Sequence, residues 1–202
     1  MPRIAGQIDV AKTEAILDAA LEVLSQHGFS APMGEVARRA CVSKQTIYNH
    51  YGSKAELLRA LIERRVDQII APLHSPDADE HPQQALTALA RTLLEGPLQP
   101  RGVSALRLCI QGAAAMPELG RVLFETGILA YRRRLSLFLE RETAAGRLKA
   151  ENPMLAATFF IGMVAGGFQL GGLLGVEFDI PPAERDQIAA EAAARFMRAY
   201  AL

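Results

Sequence analysis

The chain has 202 residues, 22 of them basic and 22 acidic, with two cysteines, no tryptophan and 50% apolar residues. That length holds one domain, or one domain with a small appendage, and it can bury a core without disulfide or metal staples. The apolar content excludes a disordered chain, and Cys41 and Cys109 lie too far apart for a disulfide framework or a zinc site.

The opening MPRIAGQIDVAKTEA has no long apolar run and no small-residue cleavage site, so a cytoplasmic protein is expected. Alanine and leucine dominate, and no stretch alternates as a strand does, which predicts an all-α fold. The first helix is expected over 10–26. Asp9 is placed to cap it and Gly28 to end it, with Ile16, Leu17, Ala20, Leu21 and Leu24 as its apolar stripe. Pro32 opens a short helix over 33–40, with Met33, Val36, Ala37 and Ala40 on one side. Cys41-Val42 reads as a turn, and Ser43 caps a second short helix over 44–50. Tyr51-Gly52 breaks it, and a capping box from Ser53 to Glu56 opens a longer helix to residue 70.

Pro72, Pro76 and Pro82 frame LHSPDADEH, an expected exposed acidic loop. Further helices are expected over 84–94, 104–115, 117–125 and 128–144, punctuated by Gly96-Pro97, Gln99-Pro100 and Gly146. Asn152-Pro153 starts a long apolar helix to 174, and Pro181-Pro182 starts the last one, over 183–200.

A net charge of zero argues against nucleic acid only if charge is spread evenly. Residues 1–65 hold 9 basic and 7 acidic side chains. Between Glu35 and Glu56 stand Arg38, Arg39, Lys44 and Lys54 with no acid, a local basic face. Two short helices with a tight turn and a third behind them form a helix-turn-helix candidate. Its second helix must bury one side and offer polar groups on the other. Ile47 is the expected anchor, against Val42, Val36 and Ala37, while Lys44, Gln45, Thr46, Tyr48, Asn49 and His50 stay outward or lateral. Gln and Asn pair with adenine, and Thr can meet a thymine methyl. Lys, Ser and Tyr suit phosphate.

GEVARRACVSKQTIYNHYGSKAELLRALI resembles the helix-turn-helix signature of the TetR family of transcriptional regulators, and KTEAILDAALEVLSQHGFS resembles that family's first helix. The resemblance covers residues 10–60. It implies a three-helix DNA-binding domain over 1–65 and a helical effector-binding and dimerisation domain over 66–202. It implies that Ser43 caps the recognition helix and meets phosphate, that Lys44, Gln45, Thr46 and Asn49 face the major groove, and that Tyr48, His50 and Lys54 contact phosphates. Three residues depart from the pattern. Cys41 stands where glycine is usual, and a positive φ there would cost about 1 kcal/mol. Pro32 and Gly34 replace polar residues that often touch DNA. Thr13 replaces a common arginine.

The resemblance also implies an effector cavity. The candidates are Leu106, Cys109, Ile110, Met116, Leu123, Phe124, Tyr131, Phe159, Met163 and Phe168, with Gln111, Tyr131 and Gln169 for hydrogen bonds. So few ionisable groups point to an uncharged, lipophilic effector. Ile188, Ala192 and Phe196 on the last helix, with the glycine-rich helix before it, are expected at a dimer interface, the other reading being ordinary core. A dimer would read a palindrome.

Residues 154–176 carry no formal charge and hold GxxxG spacings at Gly162-Gly166 and Gly167-Gly171, as in a membrane helix. Their six glycines and the absence of a second span favour a buried core or interface helix. Arg132-Arg133-Arg134 reads as a solvated face, since Tyr131, Leu135 and Phe138 make that helix's apolar stripe. The loop residues His74, Asp77, Asp79, Glu80 and His81 lack rigid metal spacing, and Cys41 reads as a structural turn thiol rather than a redox switch. No phosphate loop, nucleophile elbow or zincin motif is present, so neither an enzyme nor a cofactor is expected. The expectation is a cytoplasmic homodimeric repressor, released from a palindromic operator by a small effector. The alternative is a helical protein-docking module that uses residues 33–60.

Overall fold

A computed structural model describes residues 10–176 and 178–202. Asp9, the expected cap of the first helix, lies outside them. Among the described residues every regular element is helical: α1 Val10–His27, α2 Met33–Arg39, α3 Lys44–Tyr51, α4 Lys54–Ile70, α5 Pro82–Glu95, α6 Pro100–Ala113, α7 Pro117–Val122, α8 Leu129–Ala144, α9 Pro153–Leu173 and α10 Pro182–Ala199. The caps are the expected ones. Ser43 accepts from the Thr46 amide, and Asn152 accepts from the Leu155 amide at the start of α9. Gly28, after α1, has φ +54.

Several elements differ from the sequence reading, and α6 starts at Pro100 rather than at 104. No break separates α7 from α8, because Leu123–Ile128 forms a π-helical turn that carries the chain straight through. No proline interrupts this stretch, and Gly127 lets Ile62 approach, since a Cβ there would lie 3.2 Å from Ile62 Cγ2. The acidic loop is not wholly exposed. It contains a short 3-10 turn, Ala71–His74, and Leu73 and Ala78 are buried in the core while Asp77, Asp79 and Glu80 stay outside.

The chain divides into two compact units. One comprises the chain up to Arg64 with Ser104–Gly127, and the other comprises Arg65–Val103 with Ile128–Leu202. In the first, Ile16, Leu17, Ala20 and Val23 of α1 share a core with Val36 and Ala37 of α2, Ile47 of α3, and Leu57 and Leu61 of α4. Arg64 binds Glu14 at 2.7 Å and Asp18 at 2.9 Å, tying α4 to α1. Glycines bring α6 close: a Cβ on Gly28 would lie 2.8 Å from the Leu108 backbone.

In the second unit, Leu86, Leu89 and Leu93 of α5 meet Leu135 and Phe138 of α8, Phe160 and Val164 of α9, and Phe196 of α10. The stripe expected at a dimer interface turns inward instead. Phe196 lies edge-on to Phe160 at 5.3 Å, and Ala192 is buried. Ile188 packs against the same core. α9 is 21 residues long and holds an 18-residue stretch with a mean hydropathy of 1.6, long and apolar enough to cross a membrane by length and composition. One of its faces, Ala156, Ala157, Phe160, Ile161 and Val164, is core. The other leaves Leu155, Phe159, Met163 and Leu170 exposed. Glu142 on α8 is fully buried and bound by two nitrogens of Arg147, at 2.6 and 2.9 Å.

Candidate nucleic-acid interface

α2 ends in a Schellman motif. The Val42 amide donates to Ala37 O at 3.0 Å and the Cys41 amide to Arg38 O at 3.3 Å, with Cys41 at φ +53. Cys41 therefore occupies the left-handed position that glycine normally fills, as Gly146 does after α8. Half-buried Val42 packs on the first unit's core and fixes the turn. Ser43 then starts α3, and its hydroxyl lies 2.8 Å from that of Thr46. Gly52, at φ +75, closes α3 with its amide on Tyr48 O at 2.8 Å.

Within α3 the burial is one-sided. Ile47 is 1% exposed, whereas Lys44, Gln45, Asn49 and His50 are exposed and Thr46 and Tyr48 are half-buried. At about 100° per residue, Gln45 and Asn49 project directly away from Ile47. Gln45 Nε2 donates to Asn49 Oδ1 at 2.7 Å, so the two amides are held as a pair. Lys44 Nζ sits 5.9 Å from the Tyr48 ring centroid, and the His50 ring meets that of Tyr51 edge-on at 4.5 Å.

The basic face is weaker than its count of charges. Arg38 and Arg39 both bind Glu35. Their hydrogen bonds hold the Glu35 carboxyl down to about 2. Arg39 also reaches Glu22 at 2.8 Å and Gln26 at 3.0 Å, bracing α2 against α1. Lys54, expected at a phosphate, donates from Nζ to Phe29 O at 2.5 Å and Ala31 O at 2.7 Å. It is half-buried, and burial lowers its pKa. An ammonium has three protons, so one remains for another acceptor. Gly34 is exposed near the start of α2, and Thr13 is half-buried on α1.

The residues expected at an effector cavity divide between the units. In the first, Leu106 is half-buried and Ile110, Gln111 and Phe124 are exposed. In the second, Tyr131 and Phe168 pack against the core while Phe159 and Met163 lie on the exposed side of α9. Burial pushes the Cys109 thiol up to about 11. Among the described residues, no cluster of three or more His, Cys, Asp or Glu is arranged to hold a metal ion.

Comparison with known proteins places this geometry in context. The sequence profile described as "Bacterial regulatory proteins, tetR family" matches residues 16–61. The profile described as "AefR-like transcriptional repressor, C-terminal domain" matches residues 84–202. The HTH-type transcriptional activator FasR of Mycolicibacterium smegmatis (strain ATCC 700084 / mc(2)155) is 44% identical over 57 residues, covering 28% of this chain and 26% of FasR. The HTH-type transcriptional regulator RutR of Escherichia coli (strain K12) is 36% identical over 86 residues, 42% of this chain and 41% of RutR. The chain thus spans well under half the length of these curated relatives. Among solved structures, the Flavonoid-responsive Regulator FrrA superposes with a TM-score of 0.68 at 31% identity, covering 94% of this chain and 97% of FrrA. A TetR transcriptional regulator from Agrobacterium tumefaciens gives 0.73 at 26% identity, with 96% of each chain covered.

Proposed function

The chain belongs to the TetR family of DNA-binding transcriptional regulators, and on that premise we propose that it is a cytoplasmic, homodimeric repressor released from a palindromic operator by a small, mostly apolar effector. In this reading residues 1–65 bind DNA, and 66–202 bind the effector and dimerise. The observation that carries the DNA-binding part is the outward pair Gln45 and Asn49, diametrically opposite the buried Ile47.

The roles follow from this placement. Gln45, Asn49 and Thr46 read base edges in the major groove. Ser43, Lys44, Tyr48 and His50 hold phosphates and set the helix in register. Repression is supported by the description of the matching C-terminal profile, and a small-molecule effector by the response named for FrrA. The exposed stripe Leu155, Phe159, Met163 and Leu170 on α9 supports dimerisation through the last two helices. α10 would contribute a side other than Ile188, Ala192 and Phe196, which its own core consumes. Two recognition helices about 34 Å apart then read two half-sites one helical turn apart. The effector favours a conformer in which that spacing is wrong, and a coupling of about 1–3 kcal/mol is typical of such switches.

A gel shift of the full chain on the DNA upstream of its own coding region tests the reading. A sequence-selective shift is expected. Gln45→Ala should relax preference at one position per half-site, costing about 1–3 kcal/mol there. No selective shift would favour a protein-docking module instead, and a uniform loss on every sequence would reject the base-reading role of Gln45.

A further inference from the structure

Glu14, Asp18, Glu22 and Gln26 follow one another at intervals of four on α1, so they form a single row that slants along the helix. All four are exposed. Two arginines from other helices of the same unit grip this row. Arg64 of α4 takes the first half, with Nη1 2.7 Å from Glu14 and Nη2 2.9 Å from Asp18. Arg39 of α2 takes the second half, with Nη1 2.8 Å from Glu22 and Nη2 3.0 Å from Gln26. The Nε of Arg39 donates to Glu35 at 2.8 Å, so each of its guanidinium nitrogens has an acceptor. The two arginine side chains are only 27% and 15% exposed, so they lie against α1 instead of reaching into solvent. A pair such as Arg38 with Glu35 sits within one helix and cannot fix that helix against another. These two grips join α2 and α4 to the same row of α1.

The grips bear on the two ends of α3. Arg39 is the last residue of α2, two positions before Cys41 and its positive φ. Tyr51, the last residue of α3, packs against the unit's core, and the charges of Arg64 and Glu14 both act on its phenol. α3 itself has eight residues, of which Ile47 is the buried one. Its pose therefore depends on what holds its neighbours. Base readout by short side chains tolerates misplacement of about 0.5 Å. Attraction to phosphate is less exacting, because it acts over the Debye length of about 8–10 Å. Loosening α2 or α4 on α1 would thus cost base contacts before it costs phosphate contacts.

We propose that Arg39 and Arg64 are positioning residues for operator recognition, setting α3 for base readout by gripping one row of α1 without touching DNA. The inference rests on the base-reading role proposed above for α3 and adds residues that act through it. Arginine suits the task because its fork spans two acceptors at fixed angles, so each grip fixes orientation as well as distance. Lysine would keep the charge and lose the fork.

The test is anisotropy titration of the full chain, well below its unfolding midpoint, on the duplex upstream of its own coding region and on a shuffled duplex of the same composition. The readout is the ratio of the two affinities. Arg39→Met and Arg64→Met should each lower it at least about fivefold, the weakest value of one lost base contact, with the salt slope on shuffled DNA unchanged. Glu22→Ala with Gln26→Ala, which removes a negative charge where Arg39→Met removes a positive one, should lower the ratio too. Plain electrostatics would give these two changes opposite signs. Arg39→Lys should lower the ratio by a smaller factor, and it gives a second readout if the methionine variants do not fold. The proposal is overturned if variants with native circular dichroism keep the parent's ratio, as a merely structural role requires. It is also overturned if affinity for both duplexes falls in parallel with a slope shallower by about one unit, which would put the arginines on phosphates. A rise in the ratio for the Glu22 and Gln26 variant overturns it as well. Failure of the parent chain to prefer the upstream duplex would instead remove the regulator reading on which the positioning role rests.

Discussion

Replacing Cys41 by glycine should stabilise the protein. The residue holds φ +53 while its own amide and that of Val42 close the end of α2 on Arg38 O and Ala37 O. A left-handed conformation costs an L-residue about 1–2 kcal/mol. Glycine removes that strain but surrenders about 0.5–1 kcal/mol of chain entropy on folding. Little packing is lost, because the side chain is exposed and its sulfur makes only a 4.0 Å contact with Arg39 O. The balance is a gain of about 0.5–1 kcal/mol, or roughly 1–4 °C in unfolding midpoint for a chain of this size. Cys41→Val should move the other way by about 1 kcal/mol, since β-branching is worst tolerated at positive φ. Thermal and guanidinium unfolding under reducing conditions measure both. A lower midpoint for the glycine variant, or a valine variant equal to the parent, would refute the strain argument. Operator affinity should stay within a few-fold in Cys41→Gly, because the hydrogen bonds that set α3 against α2 are unchanged.

Three further outcomes are expected. Lys54→Met should cost about 1–3 kcal/mol of stability through the lost bonds to Phe29 O and Ala31 O. Anisotropy titrations across salt should show Lys44→Ala shallowing the log–log slope by about one unit and Lys54→Met by less than half of that, and a full-unit change would return Lys54 to a phosphate. The Glu35 carboxyl titrates at about 2 when folded, below its ordinary 4.5, so its stabilisation is complete above pH 4.5 and fades as pH falls toward 2. Glu35→Gln should therefore lower the urea midpoint equally at pH 7 and pH 5, with the gap closing below 4.5, and a gap constant down to pH 2.5 would contradict this. Arg147→Met leaves the fully buried Glu142 without its ion pair and should lower the denaturant midpoint. An unchanged midpoint in denaturant titration would show that Glu142 is satisfied in another way.

What the sequence determined is local. Ser43 and Asn152 cap helices because a hydroxyl or amide oxygen reaches an amide three residues on, and that geometry needs no other part of the chain. The inward Ile47 and the outward Gln45 and Asn49 follow from helical period alone, so the two faces of this helix were legible before any fold was known. The glycine position held by Cys41 was legible too, but only through the resemblance to the family's turn, where glycine is usual.

Tertiary structure decided everything that depends on who sits beside whom. Arg39 meets Glu22 across 17 positions of chain, and Lys54 reaches two carbonyls more than 20 positions away, so charges that looked free for DNA are spent on bracing helices. The Phe196 stripe of α10 is as apolar as an interface stripe, and only its packing on Phe160 reveals it as core. Capping and periodicity act within about four residues, where chain order equals spatial order. Ion pairs and burial depend on distances through space, which a linear string does not contain.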